Sequence, residues 1–235
     1  MTRALFVSPH LDDVAFSCGG ILAAWTAARR HCVLLTCFTQ SIRSPGGFAL
    51  ACQTDKGIPA SVDYMALRRA EDERAAAILG VAELIHVPLP EAPHRGYGSA
   101  RALFAGVRRD DDVWRDLRAA LAVQVAQADV VIAPQGLGGH ADHLQVGRAL
   151  AGLAAETRLY RDTPYAMRAS APPRSGERAE PIDLERKLDA CAQYASQLGF
   201  QFGGERPMRE ALTTFAHAEG ARLGRDGPAE ALAAP

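Results

Sequence analysis

Ala4-Leu5-Phe6-Val7, followed at once by Ser8-Pro9-His10-Leu11-Asp12-Asp13, is the stretch on which the fold turns. Four apolar residues closed by a Ser-Pro step form a short buried strand, because proline removes a backbone donor and the run is too brief for a helix. Beyond Gly19-Gly20 the segment Ile21–Arg30 is Ala-rich and helical, and residues 31–39 (HCVLLTCFT) form a second buried strand. The same alternation recurs downstream. A helix over Tyr64–Gly80 ends on a glycine and precedes a strand over Glu83–Val87. Asp110-Asp111-Asp112 supplies negative charge to the start of a helix reaching about Ala128, before a strand at Val130–Ala133. A helix over about His143–Glu156 leads to a strand at Arg158–Arg161. Thr163–Pro181 reads as loop, and helices over Leu184–Leu198 and Pro207–Glu219 follow. Continuously apolar strands alternating with helices predict a single α/β domain, a Rossmann-like, mainly parallel sheet of order about 3-2-1-4-5 with helices on both faces. That domain is expected over residues 1–220, with residues 221–235, rich in Ala, Gly and Pro, as a disordered tail.

Composition narrows the function. The chain has 235 residues, 48% of them hydrophobic, and 26 Lys+Arg against 27 Asp+Glu give a formal net charge of -1. No basic excess or basic block offers a surface for nucleic acid or an anionic membrane. Five cysteines without a CxxC pair argue against a disulfide framework or a cysteine-based zinc site. No apolar stretch approaches the ~20 residues that span a bilayer, and the first residues do not read as a signal peptide. A cytoplasmic protein acting on a small molecule is expected.

Two constellations carry chemistry. His10-Leu11-Asp12-Asp13 follows strand one, and His140-Ala141-Asp142-His143 follows strand four. In an open α/β sheet ligands bind beyond the carboxyl ends of the strands, where the strand order reverses. A 3-2-1-4-5 order brings both motifs to that crevice. His10 and Asp13, three apart on a first helical turn, and His143 from the other loop make a 2-His-1-carboxylate set. Such a set suits hydrolysis with Zn²⁺, with Fe²⁺ as the alternative ion. Asp12 is left beside the metal as general base, and His140 is placed to stabilise an oxyanion or protonate a leaving amine. Taken alone, Asp12-Asp13 also reads as charge at a helix N-terminus, and His140 as a polar loop residue.

With Ser17-Cys18-Gly19-Gly20, the Ser8–Asp13 segment resembles the opening signature of the PIG-L/LmbE-like deacetylases, and His140-Ala141-Asp142-His143 resembles that family's second metal motif. Arg68-Arg69-Ala70-Glu71-Asp72 with Leu79-Gly80, the block Tyr160–Ala166, and Lys187 with Tyr194-Ala195-Ser196-Gln197 are similar to later family blocks. The resemblance implies a zinc-dependent hydrolase that removes N-acyl groups, typically from N-acetylglucosamine-type conjugates. It implies His10, Asp13 and His143 as ligands, Asp12 as base, His140 as transition-state histidine and Arg68 at the substrate. Ala141 stands where many members have proline. Asp142 is expected to orient a histidine.

Weaker features complete the reading. Arg95, in a long loop after strand three, could hold a carboxylate, phosphate or sugar hydroxyl, and Tyr165 could line the pocket. No G-x-G-x-x-G or G-x-x-x-x-G-K-[ST] follows the first strand, which counts against dinucleotide or P-loop use. Two rival readings keep the same metal set: a non-haem Fe(II) oxygenase, and a metal-stabilised binding protein without catalysis. The long loops over residues 40–60, 89–109 and 162–182 are expected to set the substrate.

Overall fold

Alternation within the first strand sorts the core into two layers. In the computed structural model, which describes residues 2–153, 156–168 and 173–235, strand β1 (Arg3–Ser8) sends Ala4 and Phe6 to one face and Leu5 and Val7 to the other. Helices Asp13–Ala27, Tyr64–Leu79, Leu184–Cys191 and Glu205–Arg222 pack on the Phe6 face, and helices Trp114–Ala126 and Ala141–Leu150 on the Leu5 face. The remaining strands are β2 (His31–Thr36), β3 (Glu83–His86), β4 (Val130–Pro134), β5 (Thr157–Tyr160), β6 (Arg178–Pro181) and β7 (Ala229–Ala233). They form one sheet of order β3-β2-β1-β4-β5-β7-β6. β1 to β5 are parallel in the expected 3-2-1-4-5 order, and β7 runs antiparallel to both β5 and β6. The order reverses between β1 and β4, so their carboxyl ends open a crevice there.

Four local expectations are corrected. The first helix begins at Asp13 rather than Ile21, and Gly19-Gly20 lies inside it. Gly20 is there for close packing: a Cβ on it would sit 2.7 Å from Cβ of Ile182. Residues 221–235 are not a free tail, because Ala229–Ala233 is a fully buried strand paired with β5 and β6. An alanine-rich strand carries no intrinsic β signal, so only its pairing partners reveal it. The helix expected over Leu184–Leu198 is two, Leu184–Cys191 and Ala195–Phe202. Finally, Asp111 does not act as a helix-terminal charge but is buried, with Trp114 opening the helix.

The helix after β4 ends at Leu150, short of the expected Glu156, and residues 154–155 lie outside the described residues. Within the loop expected over Thr163–Pro181 the structure has a short helix, Tyr165–Arg168, and strand β6, while residues 169–172 lie outside the described ones. Residues 40–60 contain a helix at Gly47–Thr54. Among the described residues, no helix is long and apolar enough to cross a membrane.

Candidate metal centre and active site

The turn after β1 is built by its own short side chains. Ser8 Oγ donates to the His10 carbonyl at 2.6 Å and accepts from the Val14 N–H at 3.1 Å, while Asp13 Oδ2 accepts from the His10 N–H at 2.7 Å. These bonds start the helix at Asp13 and leave His10 and Asp13 facing the crevice. After β4, glycines with positive φ reverse the chain. Gly138, at φ +81°, has no room for a Cβ, which would lie 2.9 Å from the Tyr165 ring. His140 then caps helix Ala141–Leu150, its Nδ1 accepting from the Asp142 N–H at 3.2 Å. With Nδ1 an acceptor, the neutral ring carries its proton on Nε2.

The two loops meet as the topology requires. One donor atom each from His10, Asp13 and His143 lies within 4.8 Å of the others. His10 Nδ1 is 3.2 Å and His143 Nε2 3.4 Å from Asp13 Oδ2. Among the described residues the buried His143 Nε2 has no hydrogen-bond partner, an orphan that a divalent cation would satisfy. The opposite nitrogens are held from behind: His143 Nδ1 by Asp162 Oδ1 at 2.6 Å, and His10 Nε2 by Asp142 Oδ2 at 2.9 Å. Carboxylates bonded to the far side of ligating imidazoles set tautomer and ring orientation. Two imidazoles and a carboxylate, each pre-oriented, fit a divalent cation with positions left for water and substrate. His10, His140 and Asp142 form an overlapping set, in which the Asp142 carboxylate already holds His10 Nε2.

Electrostatics separate the neighbouring carboxylates. Burial raises the Asp13 carboxyl, but His143 and His10 outweigh it and hold Asp13 well below the usual range. Burial pushes Asp12 up to about 6, with Arg68 opposing and Asp13 adding to the rise. His140 is driven down to about 3 by burial and by the neighbouring His10 charge, so its ring is neutral. Burial would lower His143, yet Asp13 and Asp162 raise it to about 9. Burial would lower His10 as well, yet Asp13 and Asp142 raise it, and a divalent cation would compete with protons for the facing nitrogens of His10 and His143.

Asp12 accepts from Gln201 Nε2 at 3.1 Å through Oδ2, and Arg68 Nη2 stands 3.6 Å from its Oδ1. Arg68 is itself fixed by Glu91 at 2.5 Å. Tyr165 places its ring 5.6 Å from that of His143, and Phe104, 43% exposed, lies edge-on to both His140 and Tyr165 at 5.3 and 5.7 Å. Arg95, expected at the substrate, has its donors taken up by protein partners. Its guanidinium bonds both oxygens of Asp111 at 3.1 and 2.8 Å, the Pro90 carbonyl at 2.7 Å, and Asp142 at 2.8 Å. Those donors secure the loop and brace the carboxylate that orients His10, and no local pattern reveals it because Asp111 and Asp142 arrive from different segments, Asp142 from the first turn of helix Ala141–Leu150. Arg95→Ala should therefore cost ~3–5 kcal/mol in urea denaturation, the penalty for orphaning buried carboxylates, and a stability within 0.5 kcal/mol of wild type, roughly the surface-substitution range, would refute this.

Sequence reasoning missed Asp162 and Gln201. Asp162 had a usable signal, since it directly follows β5 and so belongs to the same edge of the sheet. Gln201 had none.

The family model described as PIG-L: GlcNAc-PI de-N-acetylase matches residues 5–154. The chain belongs to the PIG-L family. Both crevice motifs lie within the matched segment. A curated relative, 2'-N-acetylparomamine deacetylase of Streptomyces fradiae, is 36% identical over 197 residues, covering 79% of this chain. The alignment spans 62% of that relative's own length. A solved deacetylase of the teicoplanin biosynthesis pathway is 25% identical, with a TM-score of 0.82 over 99% of this chain and 97% of its own. The zinc-inhibited form of teicoplanin deacetylase is also 25% identical, with a TM-score of 0.78 and the same coverage.

Proposed function

We propose that this PIG-L chain is a zinc-dependent N-deacetylase acting on a small N-acetylated amino-sugar-like substrate, and that it works in the cytoplasm. The convergence of His10 Nδ1, Asp13 Oδ2 and His143 Nε2 beside a spare carboxylate, Asp12, that burial pushes up to about 6 carries the reading. The curated relative's acetylated aminoglycoside supports the substrate class. Five free thiols, four of them buried, suit a reducing compartment.

When bound, the cation supplies Lewis acidity and lowers the pKa of a coordinated water toward ~7. The rest falls to the protein. Asp12, near pKa 6, takes a proton from the attacking water at neutral pH, since a general base works best near the working pH. The same carboxyl, once protonated, gives that proton to the departing amine. Neutral His140, with its proton on Nε2, donates a hydrogen bond to the charge developing on the acyl oxygen. Arg68, 3.6 Å from Asp12, keeps the carboxylate anionic and offers remaining donors to substrate oxygens. An oxygenase would leave Asp12 without a task, and a mere binding module would leave both Asp12 and His140 without one.

Acetate release is the test, measured over N-acetylglucosamine, N-acetylated aminocyclitol glycosides and N-acetylated simple amines, before and after chelation and with Zn²⁺ or Fe²⁺ restored. Turnover that vanishes with the chelator and returns with Zn²⁺ is expected. Activity unchanged in the metal-stripped protein would overturn the assignment. His143→Ala should lose the cation itself, read as metal per chain by elemental analysis.

A further inference from the structure

Arg68-x-x-Glu71-Asp72 and Tyr194-Ala195-Ser196 are far apart in sequence and bonded to each other in the fold. Glu71 accepts from the Ser196 N–H at 2.8 Å and from its hydroxyl at 2.6 Å, and Asp72 accepts from the Tyr194 hydroxyl at 2.6 Å. All three contacts fall at the start of helix Ala195–Phe202. Gln197 adds a bond to the Tyr64 hydroxyl at 2.9 Å, from the same helix to the same partner. Helix Ala195–Phe202 is thus held against helix Tyr64–Leu79, which also carries Arg68. Near its far end it presents Gln201, whose Nε2 donates to Asp12 Oδ2 at 3.1 Å.

Arg68 and Gln201 approach the two oxygens of Asp12 from two helices that are bonded together. A carboxylate held at both oxygens keeps one rotamer, and proton transfer demands that its free lone pair face the reacting water. We infer that Gln201 is a positioning residue for Asp12, held in place through Glu71 and Asp72, so that a segment outside the family-matched residues 5–154 completes the catalytic base. Gln201 does not need to touch substrate for this. The inference rests on Asp12 being the base, as proposed above.

Two side chains of glutamine's size separate positioning from packing. Gln201→Met fills the space without a donor, and Gln201→Glu sets a carboxylate against Asp12. With the metal-loaded full chain and the best panel substrate, Gln201→Met should lower kcat ~10- to 100-fold, the cost of a misplaced group, with KM within about twofold. Gln201→Glu should fall further. Metal per chain should equal that of wild type in both. A double-mutant cycle of Gln201→Met with Asp12→Ala, read as urea midpoints of the metal-free protein, should be non-additive, since additivity marks sites without contact. Wild-type kcat in Gln201→Met, or an additive cycle, overturns the inference. Absence of acetate release from every panel member in wild type would instead sink the deacetylase reading, and the cycle would still decide whether Gln201 holds Asp12.

Discussion

Asp12→Asn should abolish most turnover, roughly 10²- to 10⁴-fold in kcat, the span that a general base contributes, while the metal content stays at the wild-type value. The two outcomes separate because Asp12 is not among the three converging donors, whereas Asp13 beside it is. Asparagine keeps the shape and can still accept from Gln201, so the loss reports proton transfer rather than collapse of the site. Stability should hold or rise, because the substitution removes a buried carboxylate whose charged form is disfavoured by burial and by Asp13. A fully active Asp12→Asn enzyme would refute the mechanism. An inactive one that has also lost its metal would shift Asp12 from base to ligand.

The second large effect lies far from the chemistry. Glu230→Ala should cost ~3–5 kcal/mol in urea denaturation, as expected when one member of a buried ion pair is removed. Helix Asp13–Ala27 is broken at Cys18, with φ −139° and ψ 24°, which frees backbone donors in its middle. Glu230 on β7 satisfies them, accepting from the Gly20 N–H at 3.3 Å and the Ile21 N–H at 2.8 Å, and pairs with Lys187 at 2.5 Å. Glu230 and Lys187 are 5% and 2% exposed, so neither charge has water to fall back on. Removal of the carboxylate orphans two amides and one ammonium at once. Glu230→Gln keeps one acceptor but leaves the ammonium unpaired, and should fall between wild type and Glu230→Ala. Because the same helix begins with Asp13, metal affinity should drop as well. A Glu230→Ala protein with wild-type stability would show that the kink is supported by something else.

Much of the site was legible because its chemistry is local. His10, Asp13, His140 and His143 sit directly after strands one and four, and a parallel sheet gathers strand ends at one edge whatever the distance in sequence. Residue type then states the candidate donor set, and Asp142 within its motif lies 2.9 Å from a histidine, His10. Arg95 misled for the opposite reason. An arginine in a loop over the crevice suggests a substrate contact, yet Asp111 and the helical Asp142 take its donors. Gly19-Gly20 misled too, since a local reading treats glycine as punctuation whereas here Gly20 admits Ile182 and Glu230 inside a helix.

The sequence by itself determined the parallel α/β core, its crevice and which histidines and aspartates meet there, because apolar period and residue chemistry act over a few neighbours. Tertiary structure alone decided who stands behind them: Asp162 on His143, Gln201 on Asp12, Glu230 in the broken helix, and Ala229–Ala233 as a strand of the sheet. A hydrogen bond between Gln201 and Asp12 leaves no periodic or compositional trace, since each partner alone is an ordinary polar residue. Only the packing of helices and strands supplies the burial that makes these contacts necessary.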